Sequence, residues 1–202
     1  MSGSSGKLKI AFIAGVFPAL SETFILNQIT GLIDLGHDVD IFALERGYTE
    51  KLHGDITKYD LLSRTHYPER KPGEPLGSIK SLVFHSPGFL KRPSSLFKVY
   101  RAIENGIPGS TFLFRCVPFF KEHSYDIVHC QFGPNGNIGA GLKELGVIDA
   151  KLVTTFHGYD IRLGLSRGGG IYAPLRENGD LFLAISKYNR RQLEHMGFEL
   201  SK

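Results

Sequence analysis

Apolar positions along the chain fall into two rhythms. From Ile10 to Phe17 almost every residue is apolar, which predicts a strand over Lys7–Phe17 buried on both faces of a parallel sheet. Phe24, Ile25, Ile29, Leu32 and Ile33 then recur at helical spacing. Ser21 is the predicted N-cap of that helix, Glu22 falls in its first turn where the helix dipole favours a negative charge, and Gly36 is placed to close it. Asp38–Leu44 (DVDIFAL) predicts the second strand. Strand, helix and strand in such close succession form a right-handed βαβ unit, so the expected fold is a Rossmann-like, doubly wound α/β sheet, mainly parallel, with helices on both faces.

The same alternation returns in the second half. Tyr125–Phe132 (YDIVHCQF), Lys151–Phe156 (KLVTTF) and Asp180–Ile185 (DLFLAI) predict three more strands. A glycine-rich helix is expected over Asn135–Leu145, and another over Tyr188–Met196, stopped by Gly197. Between the halves, prolines at 68, 72, 75, 87, 93, 108 and 118 break the rhythm, and a strand near Leu61–Tyr67 followed by two or three helices is the expectation. Residues 1–6 (MSGSSG) read as a flexible start or linker, leaving 7–202 as one domain.

Composition narrows the class. Of 202 residues, 42% are hydrophobic and 22% charged, as in an ordinary globular protein, and no apolar run is long enough to cross a bilayer. Pro18 interrupts the Ile10–Leu20 stretch, which argues against a secretory signal. Cys116 and Cys130 have neither metal-ligand nor CxxC spacing, so a reduced, cytoplasmic setting is expected. A net charge of +4 does not announce a nucleic-acid partner. The charge is clustered, however: Arg64–Arg101 carries eight Lys/Arg against Glu69 and Glu74, a local +6. Within a basic helical insertion at about 64–105, Lys91, Arg92, Lys98 and Arg101 alternate with apolar residues, a pattern suited equally to an anionic membrane surface and to the solvated face of packed helices.

Ligands of an open parallel sheet bind beyond the carboxyl ends of its strands, where loops feed helix N-termini. Four loops qualify: Phe17–Glu22, Gly133–Asn137, His157–Asp160 and Ser186–Lys187. They gather Ser21, Glu22, Thr23, Gly133, Asn135, Asn137, His157, Asp160 and Ser186. His157 is the sharpest candidate, directly after a buried strand, with Asp160 near enough to orient or charge it. The glycines around 133–141 lack the dinucleotide fingerprint and suit close helix packing as well as phosphate contact. His129, inside a strand, reads as a packed core residue, and Ser166–Ile171 (SRGGGI) as a flexible loop, either folding over a ligand or merely exposed. No GxSxG elbow and no cysteine–histidine pair supports nucleophilic catalysis.

The blocks FPALSETFI (Phe17–Ile25), DIVHCQFG (Asp126–Gly133), TFHGYD (Thr155–Asp160) and Ala184-Ile185-Ser186, with Leu193 and Gly197 following, resemble the N-terminal domain of family 4 glycosyltransferases, in the branch that builds colanic acid and other bacterial exopolysaccharides. The resemblance implies half of a GT-B fold and a retaining sugar transfer without a metal cofactor. The nucleotide-sugar is then a substrate, held mainly by a C-terminal domain absent from this chain, and the acceptor is a glycan or lipid-linked saccharide at the inner face of the plasma membrane. It further implies that Ser21, Glu22 and Thr23 face the donor phosphates or the acceptor, that His157 sits near the transferred sugar as the catalytic residue, and that Asp160 supports it. Isolated turnover by this chain is then not expected. A nucleotide-sugar epimerase on the same plan fits the FPALSETFI block poorly, and a non-catalytic module docking through Arg64–Arg101 remains the alternative of another class.

Overall fold

A computed structural model describes residues 6–48, 52–68, 124–144 and 146–200. Six strands make one parallel sheet: β1 (Lys9–Phe17), β2 (Asp38–Arg46), β3 (Thr65–His66), β4 (Ile127–Gln131), β5 (Lys151–Phe156) and β6 (Leu181–Ala184), in the order β3-β2-β1-β4-β5-β6. This is the doubly wound order with its switch point between β1 and β4, the place where such sheets open a crevice.

β1 explains why the sheet has two cores. Its alternate residues point to opposite faces. Ile10 and Phe12 join Ile25, Ile29, Val39 and Ile41 under α1 (Thr23–Asp34) and α2 (Gly54–Lys58). Ala11 and Ile13 join Val128, Cys130, Leu152, Phe156 and Tyr172 under α3 (Gly133–Glu144), α4 (Gly158–Ser166), α5 (Ala173–Asn178) and α6 (Lys187–His195). Register is fixed by this alternation: Ile10 lies opposite Val39 on one side and Ile127 on the other.

The helix ends follow local chemistry. Gly36, at φ +89°, closes α1, its N–H reaching Ile33 O at 2.9 Å while His37 N–H reaches Leu32 O at 3.1 Å. Gly197, at φ +83°, ends α6 as its position after Met196 predicts.

Several boundaries differ from the sequence reading. The N-cap of α1 is Glu22, not Ser21, and its side chain makes no capping bond, so Glu22 does not occupy the first turn. The strand expected over Leu61–Tyr67 shrinks to Thr65–His66, because Leu61 N–H turns back to Ile56 O at the end of the unforeseen helix α2. Gly133–Asn137 is not a loop: α3 begins at Gly133 itself. Ser166–Ile171 is not a flexible loop either. Gly168 and Gly169, at φ +69° and +70°, make a tight turn whose Gly169 O accepts from the Arg176 guanidinium at 3.0 Å, and a 3-10 turn (Gly170–Tyr172) then carries Tyr172 into the core. The helices expected between the halves, with Lys91, Arg92, Lys98 and Arg101, lie outside the described residues, as do residues 1–5.

Candidate functional site

At the switch point the polar groups are organised around one carboxylate. Asp160, in the first turn of α4, is fully buried. Its Oδ1 accepts from the backbone N–H of His157 at 2.8 Å and of Ile161 at 3.1 Å, and its Oδ2 accepts from Gly133 N–H at 2.9 Å. One side chain thus caps α4 and the start of α3 together, where both helix dipoles favour negative charge. Burial pushes the Asp160 carboxyl above its ordinary range, and the Gly133 and His157 N–H groups oppose that push. Asp160 holds the loop that carries His157. No hydrogen bond joins its carboxylate to the imidazole.

His157 is buried. Its ring packs against those of Phe24 and Phe132 on adjacent sides, at centroid distances of 4.6 and 4.5 Å, and the two phenyl rings meet edge-on 6.3 Å apart. Nε2 is 3.1 Å from Gln131 Oε1, and the backbone carbonyl accepts from Asn189 Nδ2 at 2.9 Å. Burial lowers its pKa, against the opposing charge of Asp160, so the ring is neutral at neutral pH. Phe132 reaches it from a left-handed backbone, φ +70°, a conformation that costs an ordinary side chain about 1–3 kcal/mol and marks this junction as over-determined by its surroundings.

The remaining candidates divide in two. Ser21 and Thr23 are exposed and Glu22 is half-buried on the β1–α1 loop, with burial raising the Glu22 pKa. The loop borders a small cavity of about 30 Å³ lined by Phe17, Leu20, Glu22, Tyr48, Leu52 and Ile56. Because the Phe24 ring packs against His157 at 4.6 Å, tilted by 42°, the first turn of α1 abuts the imidazole directly.

The others are committed to the fold. Gly133 offers its N–H to Asp160, and a Cβ there would meet Tyr172 and Phe156 at 2.6 and 2.7 Å. Asn135 is buried and donates to Gln131 O at 2.7 Å, while Asn137 donates to Ile171 O at 2.7 Å. Ser186 caps α6 by accepting from Asn189 N–H at 3.1 Å. His129 is half-buried, with Nε2 2.8 Å from Thr155 Oγ1 and its ring 4.8 Å from Phe12, and burial pushes its pKa down to about 4. It faces an open groove of about 460 Å³ shared with Phe12, Asn27, Gln28 and Leu183. No cluster of three or more His, Cys, Asp or Glu suited to a metal ion occurs among the described residues.

Sequence reasoning did not single out Gln28, Gln131, Phe24, Phe132 or Asn189. One signal was present: His129 and Gln131 are polar residues two apart in an apolar strand, so they share a face.

A doubly wound parallel sheet whose polar groups gather at the switch-point edge defines a Rossmann-like α/β domain. The family model described as Glycosyltransferase Family 4 matches residues 21–202, and the chain belongs to that family. It is 35% identical over 196 residues to a protein of Escherichia coli named as the colanic acid biosynthesis glycosyltransferase WcaL, covering 94% of this chain and 48% of that protein. The WcaL of Salmonella typhimurium is 34% identical over 194 residues, with the same coverage. The amylovoran biosynthesis glycosyltransferase AmsK of Erwinia amylovora is 34% identical over 201 residues, covering 96% of this chain and 49% of AmsK. The chain therefore spans about half the length of the curated relatives it matches.

Proposed function

We propose that this chain is the acceptor-side domain of a retaining glycosyltransferase, which moves a sugar from a nucleotide-sugar to a lipid-linked or polysaccharide acceptor during assembly of a cell-surface glycan. The relatives' names, for colanic acid and amylovoran, support the substrate class. The observation that carries the reading lies at the switch-point edge. There α3 and α4 are capped by Asp160 and α6 by Ser186, while α1 starts without a side-chain cap, beside His157.

An uncapped helix start presents N–H groups and the positive end of its dipole to the cleft, which suits an anionic diphosphate. Ser21 and Thr23 add hydroxyls, and Glu22 supplies a half-buried acceptor for a sugar hydroxyl. His157, neutral and immobile, contributes a fixed dipole near the transferred sugar. Retaining transfer builds positive charge on the sugar and negative charge on the departing diphosphate, and preorganised dipoles stabilise both without reorganising during the reaction. In this reading the donor is held mainly by a second domain of the full-length protein, no metal is required, and the basic segment around Lys91–Arg101 meets the inner face of the membrane where such acceptors reside.

The test is His157→Ala in the full-length enzyme. Turnover should fall by roughly 100-fold, the order seen when one preorganised dipole is removed from a transfer site, in a variant that circular dichroism shows to be folded although the lost ring packing lowers its unfolding midpoint. Wild-type turnover would take His157 out of the site.

A further inference from the structure

Three side chains at the sheet edge, His157, Gln131 and Gln28, form a hydrogen-bond chain, and a backbone N–H at one end sets its direction. His157 begins α4 in the reciprocal arrangement of a capping box: its side chain is turned towards the backbone N–H of Asp160, without a close side-chain bond, while the Asp160 carboxylate accepts from His157 N–H. A backbone N–H can only donate. Nε2 is the ring nitrogen at Gln131, so the nitrogen turned to that N–H is Nδ1, and it must carry a lone pair. In a neutral imidazole the proton then sits on Nε2 and is donated to Gln131 Oε1 at 3.1 Å. The Gln131 amide in turn donates to Gln28 Oε1 at 2.6 Å. Running the chain in the opposite sense would set Nδ1–H against the N–H of Asp160, two donors facing each other in a buried place.

We propose that Gln131, backed by Gln28, is a positioning pair that holds His157 as the neutral Nε2–H tautomer. Gln131 is fully buried on β4, and Gln28 is half-buried on α1. The pair therefore ties the strand beside the switch point to the helix that starts without a side-chain cap beside His157. With Nε2 committed to Gln131 and Nδ1 turned to the helix start, neither nitrogen is free to exchange a proton with a substrate. His157 acts through its fixed dipole and shape, and not as a general acid or base. This deepens the reading above, since it concerns the same histidine, but the tautomer is measurable without any turnover.

The experiment is a long-range proton–nitrogen correlation spectrum of the 15N-labelled 202-residue chain at neutral pH. The expected result is a protonated Nε2 and an unprotonated Nδ1 for His157. Gln131→Leu removes the one close partner of the ring and leaves only the longer contact between Nδ1 and the Asp160 N–H to choose the tautomer, so the Nδ1–H form should appear beside Nε2–H. Gln131→Glu, which keeps an acceptor and adds charge, should retain Nε2–H and move the His157 titration upwards, a rescue that a merely structural side chain would not give. A wild-type spectrum showing Nδ1–H would overturn the proposal, as would an unchanged tautomer in Gln131→Leu. If that variant does not fold, the wild-type spectrum and Gln28→Ala decide. Loss of the Gln28 carbonyl should shift the Gln131 side-chain amide and loosen the His157 tautomer, and no change in either signal counts against the relay. A failed tautomer assignment leaves the His157→Ala kinetics standing, and the reverse also holds, so the two readings fail separately.

Discussion

Asp160 shows how one side chain can set the geometry of a whole edge. Its two oxygens serve different loops, Oδ1 the His157 turn and Oδ2 the start of α3. Asp160→Asn retains one oxygen and replaces the other with an NH2 group. Keeping Oδ1 for His157 and Ile161 leaves the Gly133 N–H facing another donor. The expected cost is about 1–3 kcal/mol, the penalty of a buried unsatisfied donor, read as a lower urea midpoint at pH 7. His129 supplies a second test at this scale. Burial depresses its folded pKa to about 4, against 6.5 for the unfolded chain. Between those values the unfolded chain binds a proton that the folded protein refuses, so stability rises with pH across the window, is complete above about 6.5 and is lost on acidification towards 4. The amplitude is about 3 kcal/mol. His129→Phe should flatten that part of the profile in urea unfolding series at several pH values, and an unchanged slope would assign it to other groups. His157 was visible in the sequence because a histidine directly after a buried strand must stand at the carboxyl edge. Its two aromatic neighbours were not, because Phe24 and Phe132 come from elements that meet only in three dimensions.

At the scale of elements, α3 carries its glycines for contact. Gly133, Gly136 and Gly139 recur every three residues and face β4, β5 and α5. A Cβ at Gly136 would lie 2.6 Å from Leu175 Cδ2 and 2.8 Å from Thr154 Oγ1, and one at Gly139 would lie 2.6 Å from Leu152 Cδ1 and 2.8 Å from Cys130 Sγ. Alanine favours a helix over glycine by about 1 kcal/mol, but overpacking a close-packed core costs about 1–3 kcal/mol. Gly136→Ala should therefore destabilise the protein in thermal unfolding. Gly31→Ala is the contrasting case: Gly31 is exposed on α1 with nothing within 4 Å of a Cβ. There helix propensity acts alone, and the variant should gain about 0.5–1 kcal/mol. The glycine spacing suggested close packing but could not say against what. The cap of α1 escaped the sequence for a related reason. Ser21 is a good capping residue by type, yet the loop from β1 delivers Glu22 to that position, with no capping bond from its side chain.

For the whole molecule, charge and topology divide the work. The net charge of +4 arises from a +6 segment, Arg64–Arg101, and a remainder of opposite sign. No helix among the described residues is long and apolar enough to cross a membrane, so contact with one is proposed through the basic residues. Flotation with anionic vesicles should carry the full-length protein upwards, and neutralising Lys91, Arg92, Lys98 and Arg101 together should leave it in the lower fraction. Equal flotation of the two would remove the surface role. The sequence by itself determined the strand and helix alternation and hence the doubly wound sheet, because local periodicity and turn residues act over a few residues along the chain. It also determined which segments reach the carboxyl edge, since in a parallel sheet every strand end points the same way, although it took Gly133–Asn137 for a loop where α3 begins at once. Only the tertiary structure decided which of those polar residues stay available. Asp160, Asn135 and Ser186 are spent on backbone groups, as is the Asn137 amide N–H, whereas α1 starts without a side-chain cap beside His157, because buried N–H and C=O groups must be satisfied before any ligand is, and their partners lie far apart in the chain.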